Sequence, residues 1–214
     1  MDKYINTIIE GDCYDYFDKL PKDLVLITDP PYGINYDPKW LSDIHIAKGT
    51  QPNKSDKKVL NDKGELDFTP LYSYPRRCIF GFPYIYDLKA TGWIVWDKQP
   101  QVDGRGMTTP VEIASTTLRK GFDLIHSMWA GFLRDIPDRN IESRYDHPTQ
   151  KPLKVMKFII ERFTKPDDII FDPFAGSGST LVAAKQLGRR YIGIELDSQY
   201  VEIANNRLSQ YMLF

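Results

Sequence analysis

The chain has 214 residues, 42% of them hydrophobic and 27% charged, and a net charge of -1. Such a length and mixture suit one compact globular domain, expected to span 1–214 with at most small insertions. No apolar run approaches the ~18 residues a membrane span needs, and a near-neutral balance does not by itself announce a polyanion-binding protein.

Residues 1–10 lack a basic region followed by an apolar run, so no export signal is read and the cytoplasm is the expected compartment. Cys13 and Cys78 are isolated and read as free thiols in a reducing compartment. Short apolar runs at 5–9, 24–28, 78–82, 93–96, 111–115, 169–171 and 191–194 read as buried strands. The tetrapeptide Asp29-Pro30-Pro31-Tyr32 follows the second run directly. In an open α/β sheet, ligands bind beyond the carboxyl ends of the strands. Two prolines stiffen the loop there and aim the Asp29 side chain and the Pro30 carbonyl. Two neighbouring acceptors suit an amino group with two hydrogens, and Tyr32 offers a flat face for stacking. A plain strand-ending turn is the competing reading of these four residues.

Residues 37–70 are polar and nearly without periodicity, and 100–110 are similar. Long polar insertions in a compact domain are usually functional or disordered. Between 98 and 120, Lys98, Arg105, Arg119 and Lys120 stand against Asp103 and Glu112, a charge mixture that reads first as solvated surface. Leu153, Met156, Ile160 and Phe163 follow helical spacing, as do Val201, Ala204, Leu208 and Tyr211. Gly188 would end a helix over 181–187, and Asp197 or Ser198 would cap the last helix. Strands alternating with helices imply a mostly parallel α/β sheet.

The run Asp172-Pro173-Phe174-Ala175-Gly176-Ser177-Gly178 joins a strand to a helix. Its glycines let backbone approach a ligand closely, and the following helix N-terminus favours a carboxylate. The third glycine of a dinucleotide fingerprint is replaced by Leu181, and no Gly-Lys-Ser/Thr follows. Glu195, at the end of the next strand, suits hydrogen bonding to ribose hydroxyls. A nucleoside bearing a carboxylate fits these features. S-adenosylmethionine has that chemistry, with NAD as the runner-up. His45, His126 and His147 form no zinc-type spacing, so no metal is expected.

At these motifs the chain resembles the amino-group DNA methyltransferases. Asp29-Pro30-Pro31-Tyr32 matches their catalytic motif, and Phe174-Ala175-Gly176-Ser177-Gly178 matches their cofactor motif. His147-Pro148-Thr149-Gln150-Lys151-Pro152 matches the start of the helix beside the methionine moiety. Gly11-Asp12 matches the turn whose acid accepts from the cofactor's adenine amine. The catalytic motif precedes the cofactor motif, as in the permuted β group. Gly92-Trp93-Ile94-Val95-Trp96-Asp97-Lys98 also looks like small phage-type members, where such a strand lies near the target pocket; a core strand with buried tryptophans is the alternative.

The resemblance implies a Rossmann-like methyltransferase fold, with a seven-stranded mostly parallel sheet in circularly permuted order. The strands of Glu195, Asp172 and Asp29 would be successive neighbours, and the chain's ends would meet near the sheet's centre. It implies Asp29, Pro30, Pro31 and Tyr32 as catalytic residues. Asp12, Thr149, Lys151, Asp172, Phe174, Ala175, Gly176, Ser177, Gly178 and Glu195 would bind S-adenosylmethionine. The reaction would be methyl transfer to N6 of adenine in double-stranded DNA, with the base flipped out of the duplex. Cytosine N4 is the alternative base, and a catalytically inactive nucleic-acid-binding module is the alternative class. Asp at position 29 leans toward adenine, Ser being more usual for cytosine N4, while RNA and protein-glutamine methyltransferases usually carry Asn. The segments 37–70 and 99–144 are the candidate target-recognition regions, and a homodimer is one way to cover enough DNA.

Overall fold

A computed structural model describes residues 1–34, 66–98, 109–130, 133–134 and 150–210. Ten strands are described: β1 (Thr7–Glu10), β2 (Val25–Thr28), β3 (Arg76–Phe82), β4 (Gly92–Asp97), β5 (Val111–Thr116), β6 (Gly121–His126), β7 (Trp129–Ala130), β8 (Leu133–Arg134), β9 (Ile169–Asp172) and β10 (Arg190–Glu195). Four α-helices accompany them: α1 (Thr69–Tyr72), α2 (Leu153–Phe163), α3 (Ser179–Gln186) and α4 (Ser198–Gln210). None of these helices is long and apolar enough to cross a membrane.

Eight strands form one sheet in the order β1-β10-β9-β2-β3-β5-β4-β6. All are parallel except β5, which runs against both β3 and β4. The expected seven strands are present within a few residues of their bounds, and β6 is the eighth. Gly121-Phe122-Asp123-Leu124-Ile125-His126 escaped the reading because it is an edge strand with polar residues interleaved. Its Phe122 and Leu124 are exposed, and Phe122 stacks on Trp93 of β4. The small β7–β8 ladder was not read either; two residues per strand leave no periodicity to detect.

Alternate residues of the central strands go to opposite faces, as the pleat requires. Val25, Ile27, Cys78, Phe80, Ile170 and Tyr191 join Val155, Met156 and Ile159 of α2 and Leu181–Ala184 of α3 in one core. Leu26, Ile79, Phe171 and Ile192 join Phe17, Leu20, Leu71 and Tyr74 in the other. A strand buried on both faces has no polar positions to spare, which is why β2 reads as the unbroken run Val25-Leu26-Ile27 before Thr28. Helix α2 matches the 153–163 spacing. Helix α3 stops before Gly188, whose φ of 71° is the left-handed backbone glycine tolerates. Asp197 caps α4 by accepting from the Gln199 N–H at 2.8 Å; Tyr211, expected on that helix, lies outside the described residues.

The chain's ends do meet, but at the sheet's edge instead of its centre. β1 pairs in parallel with β10, and among the described residues no strand lies on its far side. The Gly11 N–H donates to the Glu195 carbonyl at 2.9 Å, so the turn after β1 is stitched to the end of β10. The expected neighbour relation of β10, β9 and β2 is present. Strand order runs outward from the β9–β2 boundary in both directions, which makes that boundary a topological switch point, the place beyond whose carboxyl ends ligands bind in open α/β sheets.

Candidate active site

Four loops meet at the carboxyl ends of β1, β10, β9 and β2. The loop after β9 is built to be tight. Gly176 and Gly178 have φ of 51° and 79°. A Cβ on Gly178 would lie 2.8 Å from the Ala204 Cβ of α4, so position 178 must be glycine for both backbone and packing reasons. Ala175 and Ser177 are buried, and Phe174 packs on the second core. Asp172 is buried, and its Oδ1 accepts from the Thr28 hydroxyl at 2.7 Å and from the Phe174 N–H at 3.1 Å. Burial pushes its carboxyl up to about 6. This acid therefore acts as a bolt between β9 and β2 in addition to standing in the cofactor motif.

Glu195, at the end of β10, reaches into the same loop. Its Oε2 accepts from the Gly176 N–H at 2.7 Å and its Oε1 from the Asp197 N–H at 2.9 Å. Each oxygen keeps a further acceptor position, the chemistry two adjacent ribose hydroxyls would use. Asp12 is exposed after β1, its Oδ1 capping a short turn by accepting from the Tyr14 N–H at 3.0 Å. From below, the buried Arg207 of α4 donates to the Ser177 carbonyl at 2.6 Å and to the Ser177 and Ser179 hydroxyls at 3.1 Å. Sequence reading missed Arg207, because a single arginine in an amphipathic helix looks like a solvated residue.

Asp29 follows β2, with Pro30 buried behind it. Its Oδ1 accepts from the Tyr32 hydroxyl at 2.5 Å. Its Oδ2 accepts from the Lys151 ammonium. Lys151 lies just before α2, so the expected cofactor ligand is here the partner of the expected catalytic acid. The Lys151 Nζ is also 3.1 Å from Glu112 Oε2 of β5, and Glu112 Oε1 is 2.5 Å from the Lys98 Nζ that follows β4. Four charges of alternating sign thus run Asp29, Lys151, Glu112, Lys98.

Burial pushes the Asp29 carboxyl up, and the Lys151 ammonium pulls it back. Glu112 is also opposed by burial, but Lys151 and Lys98 outweigh that and hold it down at about 2. Burial disfavours the Lys151 charge, yet the Asp29 and Glu112 carboxylates more than compensate and raise it. Burial, then the Asp29 charge, lift the Tyr32 phenol well above its usual value, so it stays a donor.

The charge cluster read as solvated surface is therefore partly interior: Lys98 and Glu112 are 10% and 25% exposed at the side chain. The one sequence signal was a glutamate inside the otherwise apolar run Val111-Glu112-Ile113-Ala114. Of the tryptophan strand, Trp96 is core, its indole N–H donating to the Ser127 carbonyl at 2.9 Å, while Lys98 reaches the site. Trp129 is core as well.

Tyr32 stacks on Tyr84, with ring centroids 5.6 Å apart and 18° between planes. Gly81, at φ 116°, makes room for it, since a Cβ there would meet the Tyr32 ring at 2.7 Å. Tyr84 is half-exposed and was not anticipated. Thr149 and its neighbours His147 and Pro148 lie outside the described residues. Both cysteines are buried, and burial pushes each thiol up to about 12, so neither is a ready nucleophile.

A glycine cradle, two acids at neighbouring strand ends and an acid-tyrosine loop across the switch point define a group-transfer enzyme with a nucleoside-type cofactor. The DNA methylase model for N6 and N4 methyltransferases matches residues 95–206, just over half of the chain, and the chain belongs to that family. Its activity is methyl transfer to an exocyclic amino group in DNA. Among relatives, the Type II methyltransferase M.HinfI of Haemophilus influenzae is 26% identical over 98% of this chain and 70% of its own length. The Type II methyltransferase M2.DpnII of Streptococcus pneumoniae is 55% identical over 62 residues, 29% of this chain and 23% of its own. The M1.HpyAVI–SAM complex superposes with a TM-score of 0.56 at 23% identity, covering 94% of this chain and 98% of that one. The cytosine-N4-specific PvuII DNA methyltransferase gives 0.51 at 15%, covering 94% and 85%. These two likenesses speak for the fold.

Proposed function

We propose that this protein transfers the methyl group of S-adenosylmethionine to N6 of adenine in double-stranded DNA. The observation that carries the reading is the Asp29–Tyr32 loop at the end of β2, set directly beside the glycine loop of β9. The cofactor fits the residues present: Glu195 has acceptor capacity for ribose hydroxyls, Asp12 for the adenine amine, and the α3 N-terminus for the carboxylate. S-adenosylmethionine supplies an electrophilic methyl on sulfur.

The chain's own residues do the rest. An exocyclic amine is a poor nucleophile because its lone pair is shared with the ring. Asp29 and the Pro30 carbonyl accept the two amino hydrogens, which draws the nitrogen toward tetrahedral geometry and frees the lone pair. Held by Glu195, Asp12 and the α3 N-terminus, the bound cofactor would supply the methyl group to the amine and keep the departing electron pair on its sulfur. Asp29 stabilises the positive charge growing on nitrogen and accepts the proton that the nitrogen then sheds. Tyr32 holds the Asp29 carboxylate and presents its ring to the base. Holding the amine in line with the methyl supplies a large share of the rate, up to about 7–11 kcal/mol in favourable cases. Adenine is preferred on the strength of Asp at position 29.

The test is methyl-labelled cofactor with mixed-sequence duplex DNA, followed by digestion and identification of the labelled nucleoside. N6-methyladenine is the expected product. N4-methylcytosine would keep the chemistry and overturn the base. Unlabelled DNA, with cofactor binding intact, would favour the inactive module.

A further inference from the structure

The proposed role of Asp29 raises a difficulty that the structure itself answers. To accept an amino hydrogen, a carboxylate needs a free, negatively charged oxygen. Both Asp29 oxygens already have donors: Tyr32 on Oδ1 and the Lys151 ammonium on Oδ2. An ammonium ion in that position occupies the place of the target amine. It also opposes the positive charge that must grow on the amine during transfer.

Lys151 has a second carboxylate within reach. Glu112 Oε2 lies 3.1 Å from its Nζ, so the ammonium can pass from one acid to the other with a small swing of a flexible stem. Glu112 is prepared to receive it. It stands on β5 in register with Trp96, which belongs to the core shared with α2 and α3. Lys98, on the neighbouring strand end, holds Glu112 Oε1 at 2.5 Å, and the Lys98 N–H donates to the Pro110 carbonyl at 2.9 Å, tying the ends of β4 and β5 together. A lone buried carboxylate would be costly; two flanking ammonium groups offset much of that cost.

We propose that Glu112 is a positioning residue for methyl transfer: it takes over the Lys151 ammonium when the target amino group arrives, leaving Asp29 Oδ2 free to accept from that group. Lys98 keeps Glu112 in place for the exchange. The inference rests on Asp29 being the residue that receives the target amine.

The experiment compares kcat, KM for duplex DNA and the Kd for S-adenosylmethionine across the full-length wild type, Glu112→Gln, Glu112→Asp and the double variant Glu112→Gln/Lys151→Met, with thermal unfolding as the fold control. Glu112→Gln keeps the shape but removes the acceptor charge. It locks Lys151 on Asp29 and lowers kcat on the order of 10²-fold, with cofactor Kd within about twofold. Glu112→Asp keeps the charge and retains more kcat than the Gln variant; if Glu112→Gln alone fails to fold, the double variant is compared with Lys151→Met, equal kcat being expected and a lower kcat in the double variant overturning the proposal. The double variant removes the competing ammonium and regains kcat relative to Glu112→Gln alone. A merely structural Glu112 would make the double variant no better than the single one, and that result, or a Glu112→Asp enzyme no better than Glu112→Gln, overturns the proposal. A wild type that binds cofactor yet methylates no DNA overturns the functional reading instead, and this inference with it.

Discussion

The two ends of the sheet treat buried charge differently. At the amino ends, Arg77 of β3 is 2% exposed and donates through Nε and Nη2 to both oxygens of Asp87, at 2.6 and 2.7 Å, and through Nη1 to the Tyr74 carbonyl at 2.8 Å. Arg76 next to it grips both oxygens of Asp168 at 2.5 and 2.6 Å. A planar guanidinium matched to a carboxylate has one geometry and nowhere else to go. In the Asp29–Lys98 chain at the carboxyl end of β2 the cations are lysines, and the two central charges, Lys151 and Glu112, each face two partners of opposite sign. A point charge on a flexible stem can change partners at little cost. The same interaction type therefore serves as a rivet at one end and, under the proposed exchange, as a movable contact at the other.

Breaking the exchangeable end should cost activity more than stability. Asp29→Ala is expected to lower methyl transfer roughly 10³-fold, with cofactor affinity and thermal unfolding close to wild type. Joint loss of cofactor binding and folding would show that the carboxyl-end charges are rivets too. Breaking the rigid end should do the reverse. Arg77→Met leaves Asp87 buried without its partner and should cost about 3–5 kcal/mol in denaturant unfolding, with kcat per folded molecule unchanged.

The Asp172 bolt lies between these extremes and is read by pH. Its folded-state carboxyl is raised from 3.8 to about 6, so the native protein binds more protons than the unfolded chain between those values. Its contribution to stability is therefore greatest below pH 4 and is lost as pH rises toward 6. Asp172→Asn, which can still accept from the Thr28 hydroxyl, should flatten that part of the profile and gain about 1–3 kcal/mol relative to wild type at pH 7. A parallel pair of profiles would show that Asp172 is already ionised. The smallest effect belongs to Arg76→Ala. Its side chain is 37% exposed, so screening leaves about 0.5–1 kcal/mol despite bidentate geometry.

Much of the frame was legible in the sequence. Buried parallel strands write themselves as unbroken apolar runs, and helices α2, α3 and α4 announced themselves through spacing, a capping Asp197 and the stop at Gly188. Asp29, Tyr32, Glu195 and the glycine loop stood out as site candidates because they follow strand ends or, at Gly176 and Gly178, take a positive φ that favours glycine. Strand β6 was not, since an edge strand mixes exposed apolar and polar residues. Glu112, Lys98, Tyr84 and Arg207 were not, since each matters through a partner far away in sequence.

The linear pattern by itself determined the α/β alternation, the order of the two motifs and the residue types at the strand ends, all of which follow from short-range sterics and burial. Only the tertiary structure decided that β1 closes the edge against β10, that Asp172 bolts β9 to β2, and that Lys151 stands between Asp29 and Glu112. Those are consequences of which strands lie side by side. A charge buried from water must find its partner there, and periodicity carries no information about which partner that will be.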